Sequence, residues 1–176
     1  CLLKVLEDRY AGNPTYLAHS SFILISIYLA QDRESDAAQI LDQLKEHCRE
    51  HDHARGVDLI EAFEVELSLR RGDIRRAIQN YRDVDYDVNE PRYFFYVPQL
   101  THIKCLLAEG TKEGLEEAHA RLIGLDEQMR QLNRVNVRIE VFALLSIYYH
   151  RQGEDTAAMA HLCTALDMAE TGCWIR

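Results

Sequence analysis

The chain has 176 residues, of which 47% are hydrophobic, enough to bury a core and too apolar for a disordered segment. Twenty Lys and Arg against 29 Asp and Glu give a net charge of −9, which excludes a general phosphate-neutralising surface and attraction to anionic lipid. The longest apolar stretch, residues 22–30, is broken by Ser26 and falls far short of the roughly 20 residues that span a bilayer.

With only three prolines, most of the chain is free to be helical. In chain order, the pattern predicts helices over residues 16–31 and 34–50, with a turn at Gln31, Asp32 and Arg33. Next come 55–71 and 73–84, separated at Gly72, then 98–109 and 112–132, separated at Gly110. The last pair is 134–152 and 154–170, with Gly153 between them. Glycine closes a helix in the left-handed conformation without a Cβ penalty. Asp73 is placed to cap the helix that follows it, and Pro98 suits a first helical turn. Residues 85–92 (DYDVNEPR) cannot continue a helix through Pro91. Residues 93–97 (YFFYV) read as an ordered lead-in to Pro98, or as a short strand.

The helices repeat. Ala37, Ala77, Ala118 and Ala158 are spaced by 40, 41 and 40 residues, and Leu41, Tyr81, Leu122 and Leu162 follow each by four. A fixed period of this length marks stacked supersecondary units. The small residue lets two helices approach, and the large one a turn later fills the space between units. The first helix of each pair is apolar on two faces (Phe22, Ile23, Leu24, Ile27 and Tyr28; Val141, Phe142, Leu144, Leu145 and Tyr148), as a helix sandwiched between neighbours must be. The second carries a narrower stripe, such as Ile40, Leu41 and Leu44, and belongs to an outer layer. The fold class expected is all-α, an α-α superhelix of about four helical hairpins forming a single domain over residues 1–176, with repeats at 16–52, 55–90, 92–132 and 134–171.

Five cysteines, Cys1, Cys48, Cys105, Cys163 and Cys173, are odd in number and form no CxxC. That argues against a disulfide framework and for a reducing, cytoplasmic setting. Cys105 and Cys163 sit in apolar helical contexts and are expected to be small core residues.

Few constellations suggest bond chemistry. His47, Cys48, His51 and His53 cluster at a helix end; His47 and His51 share a face, as metal ligands can. The plainer reading is a solvated terminus whose imidazoles meet the last carbonyls. Two ExxH runs, Glu50 to His53 and Glu116 to His119, evoke di-iron bundles, with Glu64 and Glu140 as further carboxylates. No GxSxG or GxxxxGK[ST] occurs. Neither a catalytic residue nor a metal ligand is therefore assigned, and the segment is not expected to be an enzyme. The candidate binding residues are polar or aromatic groups in otherwise apolar settings: Glu64, Tyr93, Tyr96, His102, Arg138 and Glu140. A charged residue in an inner helix must face water, a partner or an opposite charge. Arg138 and Glu140, two apart, cannot share a helix face.

From Pro98 to Arg176 the chain resembles the tetratricopeptide-like region of MalT-like activators, large ATP-binding regulators of the LuxR family. The resemblance rests on PQLTHIKCLLAEG, EGLEEAHARLIGLDEQ and the run from RIEVFALLSIYYHRQGEDTAAMA to AETGCWIR. It extends through GDIRRAIQNY back to Tyr16. The matched positions include Pro98, Leu107, Gly110, Glu140, Gly153, Ala158, Leu162, Ala165 and Gly172. The closing aromatic-x-Arg after Gly172 resembles the exit toward a helix-turn-helix. The resemblance implies a parent with a nucleotide-binding module before this region and a DNA-binding domain after it, so ATP and DNA contacts belong outside the segment. The chain starts at Cys1 inside a helix-like pattern (CLLKVLEDRY) and stops at Arg176 without a tail, so it is read as a piece of a longer protein. Its expected role is a sensor that binds an inducer small molecule or a regulatory protein, with self-association possible. A free-standing interaction adaptor is the alternative, and a metal-dependent helical enzyme a remote one.

Overall fold

The computed structural model describes residues 14–84 and 95–172. Eight α-helices occupy those residues: α1 (Pro14–Ala30), α2 (Glu34–Glu50), α3 (Ala54–Arg70), α4 (Ile74–Asn80), α5 (Pro98–Glu109), α6 (Lys112–Gln131), α7 (Val135–Arg151) and α8 (Asp155–Thr171). No strand occurs among the described residues. The fold is all-α and built of helical hairpins. It divides into two compact units, residues 1–98 and 99–176.

The turns explain why the hairpins are tight. Gly72, Gly110 and Gly153 have φ of 75°, 72° and 77°, the left-handed closures expected from sequence. Asp32, Asp52 and Asn133 hold φ of 57°, 52° and 53° at the other three turns. Their short polar side chains tolerate this region better than any other non-glycine residue. Asp73 accepts a hydrogen bond from the Arg76 backbone N–H at 3.2 Å, and Thr111 accepts one from Gly114 N–H at 3.1 Å. Two helix N-termini are thus closed by side-chain caps.

In the first unit α1 packs on α2 and α3, α2 on α3, and α3 on α4. Phe22 and Phe63 stack at 4.0 Å in its centre. Tyr96 meets both edge-on at 5.6 and 5.2 Å, the geometry that the ring quadrupoles favour. Residues 95–97 are therefore an ordered lead-in with Tyr96 and Val97 buried, and not a strand. The predicted helix 73–84 is shorter than its pattern: α4 spans seven residues and tightens into a 3₁₀ turn at Tyr81–Asp83. In the second unit α6 packs on α7 and α7 on α8, around Leu122, Met129, Val141 and Leu145, all fully buried.

The repeat alanines behave as their spacing requires. Ala37, Ala77, Ala118 and Ala158 are 3, 0, 0 and 6% exposed. The large residues four positions on diverge. Leu122 and Tyr81 are buried and Leu41 is half-buried, but Leu162 is 38% exposed. Cys163, expected in the core, is also exposed. Both lie on α8, whose buried residues are Ala158, Ala165 and Ala169. Met159 and Leu166 of the same helix are also exposed. No described helix is long and apolar enough to cross a membrane.

Gly56 of α3 lies close against Cys48 of α2. A Cβ built there would lie 2.7 Å from the buried Cys48 Sγ. Gly56→Ala should destabilise the chain by about 1–3 kcal/mol through overpacking, read as a lower urea midpoint. Pairing it with Cys48→Ala should recover part of the loss; an equally unstable double variant would show that the clash is not the cause.

Candidate functional site

The described side chains line an open cavity of about 500 Å³ in the first unit, between α2, α3 and the α4 hairpin arm. Its apolar wall is Leu41, Val65, Leu67 and Val84. Glu61, Glu64, Ser68 and Arg71 lie along one face of α3 and its cap, spaced by three or four residues as a single helical stripe must be. Arg76, Asn80 and Asp83 face them from α4 and its 3₁₀ turn. The short α4 therefore supplies two of the polar groups and the 3₁₀ turn a third.

Of the six residues singled out from sequence, Glu64 alone lines this cavity. Its carboxylate accepts from Lys45 Nζ at 2.7 Å, joining α3 to α2. Tyr93 lies outside the described residues. Tyr96 is buried against Phe22 and Phe63, away from the cavity lining. His102 lies half-buried on α5. Arg138 and Glu140 take opposite partners from α7: Arg138 Nε donates to Asp126 of α6 at 2.7 Å, and Glu140 pairs with Lys104 of α5 at 2.7 Å. These two charges, candidates as ligand groups, hold neighbouring helices together. The six do not converge on one site.

Several polar groups carry no clear signal in the sequence. Glu66 is 3% exposed and meets Arg70 at 2.9 Å. His19 is 4% exposed, and its Nδ1 accepts from the Tyr96 backbone N–H at 3.4 Å. Burial disfavours its charged form and lowers its pKa to about 4. The arginines of the cavity belong to a run, Arg70, Arg71, Arg75 and Arg76, that straddles the Gly72 turn. That local basic cluster in an acidic chain is the one sequence signal that points to them.

The histidine cluster differs from a solvated terminus. His47 is 5% exposed, and its ring lies 4.3 Å from His51 and 6.3 Å from His53. His51 Nδ1 is 2.9 Å from the His47 carbonyl oxygen, so this nitrogen carries the proton and donates. Burial of Cys48 beside them pushes its thiol pKa up, as for a packing residue. His119, the other candidate from the ExxH runs, stacks on Tyr148 at 4.7 Å and meets the Tyr149 hydroxyl at 3.3 Å. Among the described residues no group of three or more His, Cys, Asp and Glu side chains is arranged to hold a metal ion.

Two consequences are measurable. Arg138 and Asp126 are 22 and 24% exposed, so each single alanine variant should cost about 1–2 kcal/mol; a double-mutant cycle should return coupling above about 0.5 kcal/mol. Additive effects would return Arg138 to the list of free ligand groups. His19 has a folded pKa of about 4, below the 6.5 of the free side chain, so the unfolded chain takes up its proton first. Its contribution is intact above pH 6.5 and is lost as pH falls toward 4, by on the order of 2–3 kcal/mol. His19→Gln should flatten the stability profile in that window by circular dichroism; an unchanged slope would reject the assignment.

Comparison with known proteins adds one match. The family described as the MalT-like TPR region matches residues 5–176. No curated protein and no solved structure matches the chain.

Proposed function

We propose that this chain, which belongs to the MalT-like TPR family, is the sensing region of a MalT-like transcriptional regulator. Its work is to bind, and no reaction is assigned to it. The observation that carries this reading is the cavity between α2, α3 and α4, which gathers charged side chains the fold itself leaves unused. A helical repeat needs only apolar contacts, caps and turns to stand. A concave site with an apolar wall and a few converging polar groups is the form that ligand recognition takes. Nucleotide and DNA contacts are assigned to other parts of the regulator, in keeping with the acidic balance of this one.

The proposal makes the cavity a coupling element. It is bounded by two consecutive hairpins, so a ligand that binds one spacing of α2 and α4 better than another shifts the population toward that spacing. Inducer and regulatory protein differ only in which of them fills the cavity. A bound form would then be passed to neighbouring modules, including by self-association.

A thermal-shift screen of the chain against sugars, metabolites and short peptides tests this. A ligand at a hundredfold excess over its dissociation constant adds about 2.7 kcal/mol to stability. Asn80→Trp places a bulky ring in the cavity from an exposed position and should abolish any genuine shift. Hits that persist in this variant, or none at all, would remove the sensing reading.

A further inference from the structure

The cavity has two ends of opposite charge. Arg71 and Arg76 flank the turn that joins α3 to α4. Glu61 lies ten residues before Arg71, which at 1.5 Å per residue places it about 15 Å away along the helix. The return arm of the hairpin does the same: Asp83 follows Arg76 by seven residues and so runs back toward the Glu61 end. One pole is thus two guanidinium groups and the other two carboxylates, with Leu41, Val65 and Val84 in the cavity wall.

These four charges are available. Among the described residues none of Glu61, Arg71, Arg76 and Asp83 is engaged in an ion pair, whereas Glu64 is taken by Lys45 and Arg70 by Glu66. All four are exposed, so water meets their cost. A simple anion would be drawn to the arginines and repelled by the carboxylates, and a simple cation the reverse. A neutral ligand would strip water from all four and return nothing for it. A molecule with a carboxylate at one end, an ammonium at the other and an apolar middle satisfies every group.

We propose that the cavity binds a short free peptide in its zwitterionic form. Its terminal carboxylate lies at Arg71 and Arg76, where guanidinium forks suit the two oxygens. Its terminal ammonium lies at Glu61 and Asp83, and an apolar side chain rests on Leu41, Val65 and Val84. Length follows from the poles. An extended chain advances about 3.3–3.6 Å per residue, so three residues span about 10 Å, and the charged side chains reach inward over the remainder. The assignment rests on the sensing reading and gives it a ligand class.

Calorimetric titration of the whole chain with the tripeptide Ala-Leu-Ala tests it, alongside the N-acetylated and the C-amidated tripeptides. The free peptide should bind, and either cap should weaken binding by at least about tenfold. The paired variant Arg71→Gln/Arg76→Gln should bind the free and amidated peptides equally. The pair Glu61→Gln/Asp83→Asn should bind the free and acetylated peptides equally. All four positions are exposed, and matching circular dichroism melts would show that the variants fold. Equal affinity for free and capped peptides would overturn the zwitterion while leaving the cavity a binding site. No binding of the free peptide would also overturn it; the sensing reading would then fall only if the screen gave no Asn80→Trp-sensitive hit.

Discussion

Close approach at a small side chain is the constraint on which the rest of this protein depends. Each hairpin presents one buried alanine at the same register, and each alanine lets a second helix come near enough for the larger neighbours to interlock. Where a methyl would still be too large, glycine takes over, as at Gly56 against Cys48 and Gly114 against its own capping residue Thr111. The 40-residue period is the sequence trace of this requirement. It survives the shortening of α4 because stacking needs the contact to recur, not the helix to keep its length.

That contact also decides what charge is for. In an apolar stack, an embedded ionic group has to find an opposite one on the next helix. Lys45 with Glu64, Arg138 with Asp126, and Lys104 with Glu140 each span two helices at 2.7 Å. They are partly exposed, so they contribute modestly to stability; their value lies in register, since only one sliding position brings both members together. Arg71, Arg76 and Asp83 serve no such register; they lie at the Gly72 turn, on α4 and on its 3₁₀ turn, where the cavity opens.

Much of the architecture is legible in the amino-acid sequence because glycine and alanine report backbone geometry directly. The turns at Gly72, Gly110 and Gly153 stand where expected, and α2 and α5 match their predicted limits. The turns at Asp32, Asp52 and Asn133 are weaker signals, because aspartate and asparagine serve many other roles. Leu162 and Cys163 depart from expectation for a different reason: their apolar character is the same as that of Leu122, yet they stand exposed, and apolar character alone does not say which positions the fold will cover. The binding residues are the least readable. Attention to polar groups inside first helices finds Glu64, but Arg138 and Glu140 have the same character and serve packing. Arg71, Arg76 and Asp83 lie at a turn and on a second helix, where charge is commonplace and only three-dimensional convergence gives it meaning.

The exposed apolar residues of α8 carry a consequence for cooperativity. In a linear stack each hairpin is held by its own folding free energy and by its contacts with the neighbours on either side. Among the described residues α8 packs chiefly on α7, and Met159, Leu162 and Leu166 stay exposed. Its backbone amides should open at a lower free energy than those of α7, and hydrogen exchange should advance inward from this edge. Within its unit the protein therefore has a polarity of stability: disturbances are absorbed first at α8, and the helices behind it keep their geometry.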